Sequence, residues 1–98
     1  MDGYTINLKR SAISDLDAIR KYDATQIADA MQRYLQHHPT KESQSRIKRL
    51  RGSGNPDYRL RIGDYRVFYV VDEAACQVDV LRVMHKNQTV LYYKELKS

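Results

Sequence analysis

An α+β fold is expected, a small, mostly antiparallel sheet with two N-terminal helices packed on one face of it. Three observations predict it. Apolar residues recur at helical spacing in the first half of the chain, a two-residue alternation replaces that spacing in the second half, and a dense group of turn formers marks the change. The 98 residues hold too little apolar material for two cores, so residues 1–98 are read as a single domain.

Tyr4 to Leu8 alternates Tyr, Ile and Leu with Thr and Asn and predicts a short strand. Ser11 is the expected cap of a first helix, with Asp15 in its first turn and Ala12, Ile13, Leu16 and Ile19 on one face. Lys21 to Thr25 is polar and is expected to turn the chain. A second helix is expected from about Gln26, where Ile27, Met31, Tyr34 and Leu35 fall at amphipathic spacing, and it should stop near Pro39. Ile47 and Leu50 flank basic residues and lead into the loop Gly52-Ser53-Gly54-Asn55-Pro56. Tyr58, Leu60 and Ile62 then alternate with Arg59 and Arg61, as a half-buried strand does. Gly63-Asp64 joins that strand to Tyr65–Val71 as a tight hairpin. Asp72 to Ala75 turns the chain again, and Gln77 to Met84 predicts a further strand, giving the order β-α-α-β-β-β. Thr89 to Leu96 is too short to assign.

A hydrophobic fraction of 42% with 30% charged residues is that of a soluble globular protein. No apolar run reaches the roughly 20 residues of a membrane span, and the first ten residues lack the apolar core of a secretory signal. Cys76 is the lone cysteine, so an intrachain disulfide is excluded and the reducing cytoplasm is the expected compartment. It is expected to fill apolar space beside a turn. His37, His38 and His85 form no ligand spacing with Cys76, so neither a metal nor another cofactor is expected. His37 and His38 fall at the end of the second helix and are assigned a structural role.

The charge is concentrated. Between Arg46 and Arg66 lie seven basic residues and two acidic ones, a local excess of +5 equal to the net charge of the whole chain. Such a field attracts polyanions, of which nucleic acid is the commonest. With Tyr58, Leu60 and Ile62 facing the helices, Arg59 and Arg61 project together from the opposite face. They stand about 6.5–7 Å apart along the strand, comparable with neighbouring phosphates in an extended single strand. Arg66 lies just across the hairpin. Three arginines on one face repel one another unless an anion separates them, and their planar forks match phosphate oxygens. Lys48, Arg49 and Arg51 extend the candidate nucleic-acid-binding set, a role that competes with that of a solvated basic face.

Arg49-Leu50-Arg51-Gly52, Tyr58-Arg59-Leu60-Arg61 and Gly63-Asp64-Tyr65-Arg66-Val67-Phe68-Tyr69 together resemble the RelE/ParE superfamily of bacterial toxins. Val83-Met84-His85-Lys86 followed by Tyr92, and the opening strand leading into Arg10-Ser11-Ala12 and Asp15-Leu16, extend the resemblance over nearly the whole chain. The resemblance implies the fold inferred above, a type II toxin–antitoxin system and a cognate antitoxin as partner. Within the superfamily the match is nearest the RelE-like branch, which implies cleavage of mRNA in the ribosomal A site, with ribosome and mRNA as further partners. ParE-like members instead poison DNA gyrase without nuclease activity, and a degenerate toxin would act through antitoxin binding alone.

RelE-type cleavage implies attack of a ribose 2′-hydroxyl on the adjacent phosphorus, which needs a base, cations for the phosphorane charge and an acid for the 5′-oxygen. The resemblance places the site on Arg59, Arg61, Arg66, Lys86 and Tyr92. Arg59 and Arg61 stand where lysine is frequent, and Lys86 where arginine is frequent. Charge is kept, but an arginine is unsuited to accepting a proton. Tyr92 is the candidate base, provided nearby cations depress its pKa, with Tyr93 one residue away. His85 is the alternative acid–base group. It shares strand parity with Leu81 and Val83, which points it toward the core.

Overall fold

The computed structural model describes residues 3–51 and 56–97. The chain runs β1 (Thr5–Leu8), α1 (Arg10–Asp17), α2 (Lys21–Leu35), β2 (Ile47–Arg49), β3 (Tyr58–Ile62), β4 (Tyr65–Asp72) and β5 (Gln77–His85). A single 3₁₀ turn, Lys86–Gln88, leads into α3 (Thr89–Lys97). The five strands lie in the order β1-β5-β4-β3-β2. β1 and β5 are parallel and the other three pairs antiparallel, so the expected α+β class with a mostly antiparallel sheet holds.

The alternation in the sequence sets the two faces. Leu60, Val67, Val78, Val80 and Val83 point to one side, where they meet Ala12 of α1 and Ile27, Met31 and Leu35 of α2. Phe68 and Met84 are buried on the other side, and α3 lies there, with the rings of Tyr92 and Tyr93 at 4.8 and 5.8 Å from that of Phe68. The sheet is therefore covered by two helices on one face and crossed by a third on the other.

Several elements differ from expectation. α1 begins at Arg10 with Lys9 as its cap residue, because the Lys9 amide still donates to the Val80 carbonyl at 2.9 Å and the chain passes straight from strand to helix. Ser11 is thus inside the helix, and Asp15 lies in its second half. α2 begins at Lys21, five residues before Gln26. The polar run from Lys21 is its solvent-facing first turn and not a loop, and Thr25 Oγ1 donates back to the Lys21 carbonyl at 3.0 Å. Ile47–Arg49 is an edge strand paired with β3. The loop predicted at residues 52–56 lies outside the described residues except for Pro56. Cys76 is exposed at φ +52°, closing the β4–β5 turn, so it fills no core space. The Gly63-Asp64 hairpin is present, with Gly63 at φ +55°, a conformation that a Cβ would strain. Among the described residues no helix is long and apolar enough to cross a membrane.

Candidate nucleic-acid interface

The strand register brings the predicted arginines together. Arg61 lies directly opposite Arg66, and Arg59 opposite Phe68, on the sheet face away from α1 and α2. Burial and then the positive charges of Arg59 and Arg61 lower the pKa of Arg66, so the three guanidiniums act on one another. Arg66 Nη1 is held by the carbonyls of Gly63 and Tyr65, both at 2.9 Å. Arg59 Nε is buried with no acceptor among the described residues. A buried donor without a partner is costly, and repelled cations gain when an anion enters between them. An anion placed among these groups would relieve both costs.

The remaining basic candidates divide between the faces. Lys48 is opposite Arg59 on β2 and shares its face. Arg49 pairs with Tyr58 on the other face, donating to the Tyr58 hydroxyl at 2.9 Å with its guanidinium carbon 5.4 Å from the ring centre. Arg51 is exposed beside Arg49, Leu50 and Glu42. Lys86 stands at the hairpin end of the sheet, its Nζ 3.4 Å from Asp64 Oδ1 and its backbone N–H donating to the Asp64 carbonyl at 2.7 Å. Lys86 and Arg66 thus grip the same two-residue turn.

His85 is on the α1/α2 side, opposite Tyr65 in the register, with ring centres 5.5 Å apart. Its Nδ1 accepts from the Asn87 amide at 3.1 Å and its own amide donates to Gln88 Oε1 at 3.0 Å, so it caps the 3₁₀ turn. The sheet separates it from Arg59, Arg61 and Arg66.

Tyr92 differs from expectation in its electrostatics. Its phenol is pushed up, not down, because burial outweighs the opposing charge of Arg82. That arginine, which the sequence alone did not single out, lies 5.7 Å from the centre of the Tyr92 ring. Asp15 clamps it: Arg82 Nε and Nη2 donate to the two carboxylate oxygens at 2.8 and 3.1 Å. Asp15 Oδ2 also accepts from the Val83 amide at 2.8 Å, satisfying the β5 edge beyond the point where β1 ends. Asp64, Phe68 and Arg82 are the site-shaping residues that sequence reasoning missed. For Phe68 a signal existed: it is the single phenylalanine, and it shares strand parity with Arg66. Among the described residues no three His, Cys, Asp or Glu side chains gather as a metal site requires.

Residues 6–90 match the family described as ParE toxin of type II toxin-antitoxin system, parDE. No curated protein sequence matches the chain closely enough to count as a relative. Among solved structures, the fold is similar to the RelBE2 toxin–antitoxin complex of Mycobacterium tuberculosis, with a TM-score of 0.68 at 24% identity over 85% of this chain and 98% of that one. The archaeal RelE–RelB complex of Pyrococcus horikoshii gives 0.63 at 24% identity over 84% and 93%. The isolated E. coli RelE toxin gives 0.65 at 18% identity over 96% of both chains. At these identities the likeness establishes the fold.

Proposed function

The chain belongs to the ParE toxin family of type II toxin–antitoxin systems, and from that premise we propose that it is an mRNA endonuclease acting in the ribosomal A site. One observation carries the reading: Arg59, Arg61 and Arg66 share a sheet face on which a buried Arg59 nitrogen has no acceptor among the described residues and the cations repel. Arg59 and Arg61 bind the RNA backbone and Arg66 stabilises the phosphorane. The 2′-oxygen–phosphorus bond forms as the phosphorus–5′-oxygen bond breaks, leaving a 2′,3′-cyclic phosphate. A phenol of α3 takes the 2′-hydroxyl proton, and Lys86 gives a proton to the departing 5′-oxygen. No metal takes part in this scheme. The partners are the ribosome, its mRNA and a cognate antitoxin whose acidic or amphipathic segment covers basic surface. The site of action is the cytoplasm.

Primer extension on translated mRNA tests the reading. A-site cuts that vanish with Arg66→Ala, while thermal unfolding stays cooperative, are the expected result. A second reading, a gyrase poison, is favoured by the family's own description as a ParE toxin and by the raised pKa of Tyr92. DNA breaks without mRNA cuts would establish it.

A further inference from the structure

Lys86 follows directly on β5, and a knot of hydrogen bonds fixes where it stands. Its backbone N–H donates to the Asp64 carbonyl and its own carbonyl accepts from Thr89 Oγ1, both at 2.7 Å. Its Nζ lies 3.4 Å from Asp64 Oδ1, but the two side chains are 52% and 65% exposed, and an exposed ion pair holds little by itself. The main chain therefore carries the positioning. The 3₁₀ turn that Lys86 opens is held in turn by His85. His85 Nδ1 accepts from the Asn87 amide at 3.1 Å, and the His85 amide donates to Gln88 Oε1 at 3.0 Å. The exchange is that of a capping box, with an imidazole where a hydroxyl usually stands.

This use of an imidazole is conditional. Nδ1 accepts only while it keeps its lone pair, and a protonated ring has donors at both nitrogens. In the imidazolium, Nδ1–H would meet the Asn87 N–H, donor against donor. Tyr65 of β4 meets the ring edge-on, with centres 5.5 Å apart. The Tyr65 hydroxyl donates to Asp23 Oδ2 of α2 at 3.3 Å, and Asp23 also lies 3.5 Å from Arg20. Asp23 and Asp64, the carboxylates that these contacts bring to this corner, are engaged by Tyr65, Arg20 and Lys86.

We propose that His85 is a positioning residue for Lys86: its neutral ring caps the turn that holds the lysine against the Gly63-Asp64 hairpin, and protonation of the ring releases it. The role in cleavage rests on the nuclease reading above, in which Lys86 serves the departing 5′-oxygen. Arg66 is anchored to the same hairpin through the Gly63 and Tyr65 carbonyls, so the cap sets one cation relative to the other. The sign of the pH effect is distinctive. A histidine that gave its own proton would fail as pH rises through its titration, whereas a capping histidine fails as pH falls through it.

The test is single-turnover cleavage of A-site mRNA by purified toxin on programmed ribosomes, run across pH for the native chain, His85→Asn and His85→Ala. Asparagine keeps an acceptor at the cap position and does not titrate. His85→Asn should stay within about 3-fold of the native rate at neutral pH, whereas His85→Ala should be slower by about 10-fold with ribosome affinity unchanged. The native rate should fall in acid at the midpoint where NMR of the free toxin sees the His85 ring titrate, and His85→Asn should lack that fall. His85→Asn as slow as His85→Ala would make the ring itself the reacting group and overturn the cap assignment. An acid fall shared by the native chain and His85→Asn would overturn it too, and in both cases the nuclease reading stands. A second readout needs no ribosome: the Asn87 amide should exchange faster in His85→Ala than in His85→Asn, and equal exchange would overturn the cap. Native toxin that cuts no mRNA at any pH would remove the nuclease reading, and the role of His85 in cleavage with it.

Discussion

Tyr69 sits in the core between the sheet and the α1/α2 layer. It is fully buried, stacks on Tyr58 with ring centres 5.5 Å apart, and donates its hydroxyl to the buried Pro39 carbonyl at 2.7 Å. That bond ties the segment after α2 to the middle of the sheet. Removing the hydroxyl leaves the carbonyl unsatisfied, so Tyr69→Phe should cost about 1–3 kcal/mol in urea unfolding. Burial also pushes the Tyr69 phenol far above its ordinary value, and the Tyr65 and Tyr92 phenols are raised in the same sense. The folded protein therefore keeps protons that the unfolded chain has already released. Their stabilising effect is complete below the unfolded phenol pKa of about 10 and is lost as pH rises beyond it. Alkaline unfolding should steepen above that pH, and Tyr69→Phe should flatten the decline. A variant with an unchanged alkaline slope would show that Tyr69 does not dominate it.

At the scale of elements, the least expected connection is between α1, β5 and α3. Asp15 binds Arg82 and the Val83 amide, and Arg82 covers Tyr92, so one carboxylate on the first helix helps hold the last helix on the sheet. The pair is partly exposed, 17% for Asp15 and 38% for Arg82. Asp15→Asn should accordingly cost about 1–2 kcal/mol, less than a fully buried pair. Amide hydrogen exchange in α3 should accelerate more than in α2, and equal acceleration would deny the link. Asp15 shows why some of this was hidden in the sequence. An acid near a helix start reads as a partner for the helix dipole, whereas its use here depends on a strand 68 residues away. The alternation of Tyr58, Leu60 and Ile62 was legible because a half-buried strand needs it. The start of α2 was not, because the solvent-facing turn of a helix and a loop are both polar. β2 has only three residues, and α3 is fixed by tyrosines whose partner, Phe68, comes from β4.

For the whole molecule, the localised charge gathers three arginines on one sheet face, the face on which the proposed RNA binding rests. Arg59, Arg61 and Arg66 were legible as a group because period two places them on one side, and the strand register brings them together. The separation of Arg49 and His85 from that group follows from which face each occupies. Binding of a single-stranded RNA should weaken linearly with the logarithm of salt, and each lost phosphate contact should reduce the slope by about 0.7. Arg61→Gln should show that reduction in a salt titration of fluorescence anisotropy, while an unaltered slope would exclude Arg61 from the backbone contacts. The same molecule has a topological property that bears on when this face exists. Among the described strands β1 pairs with β5 alone, and the hydrogen-bonded Asn7 and Asp79 are 72 residues apart in the chain. Such distant pairing slows folding, because the connecting loop must close before any contact rewards it. During synthesis β1 has no pairing partner in this sheet until β5 has been made. The sheet is therefore complete only once residues 77–85 have been made, and its longest-range pairing is the one that closes it.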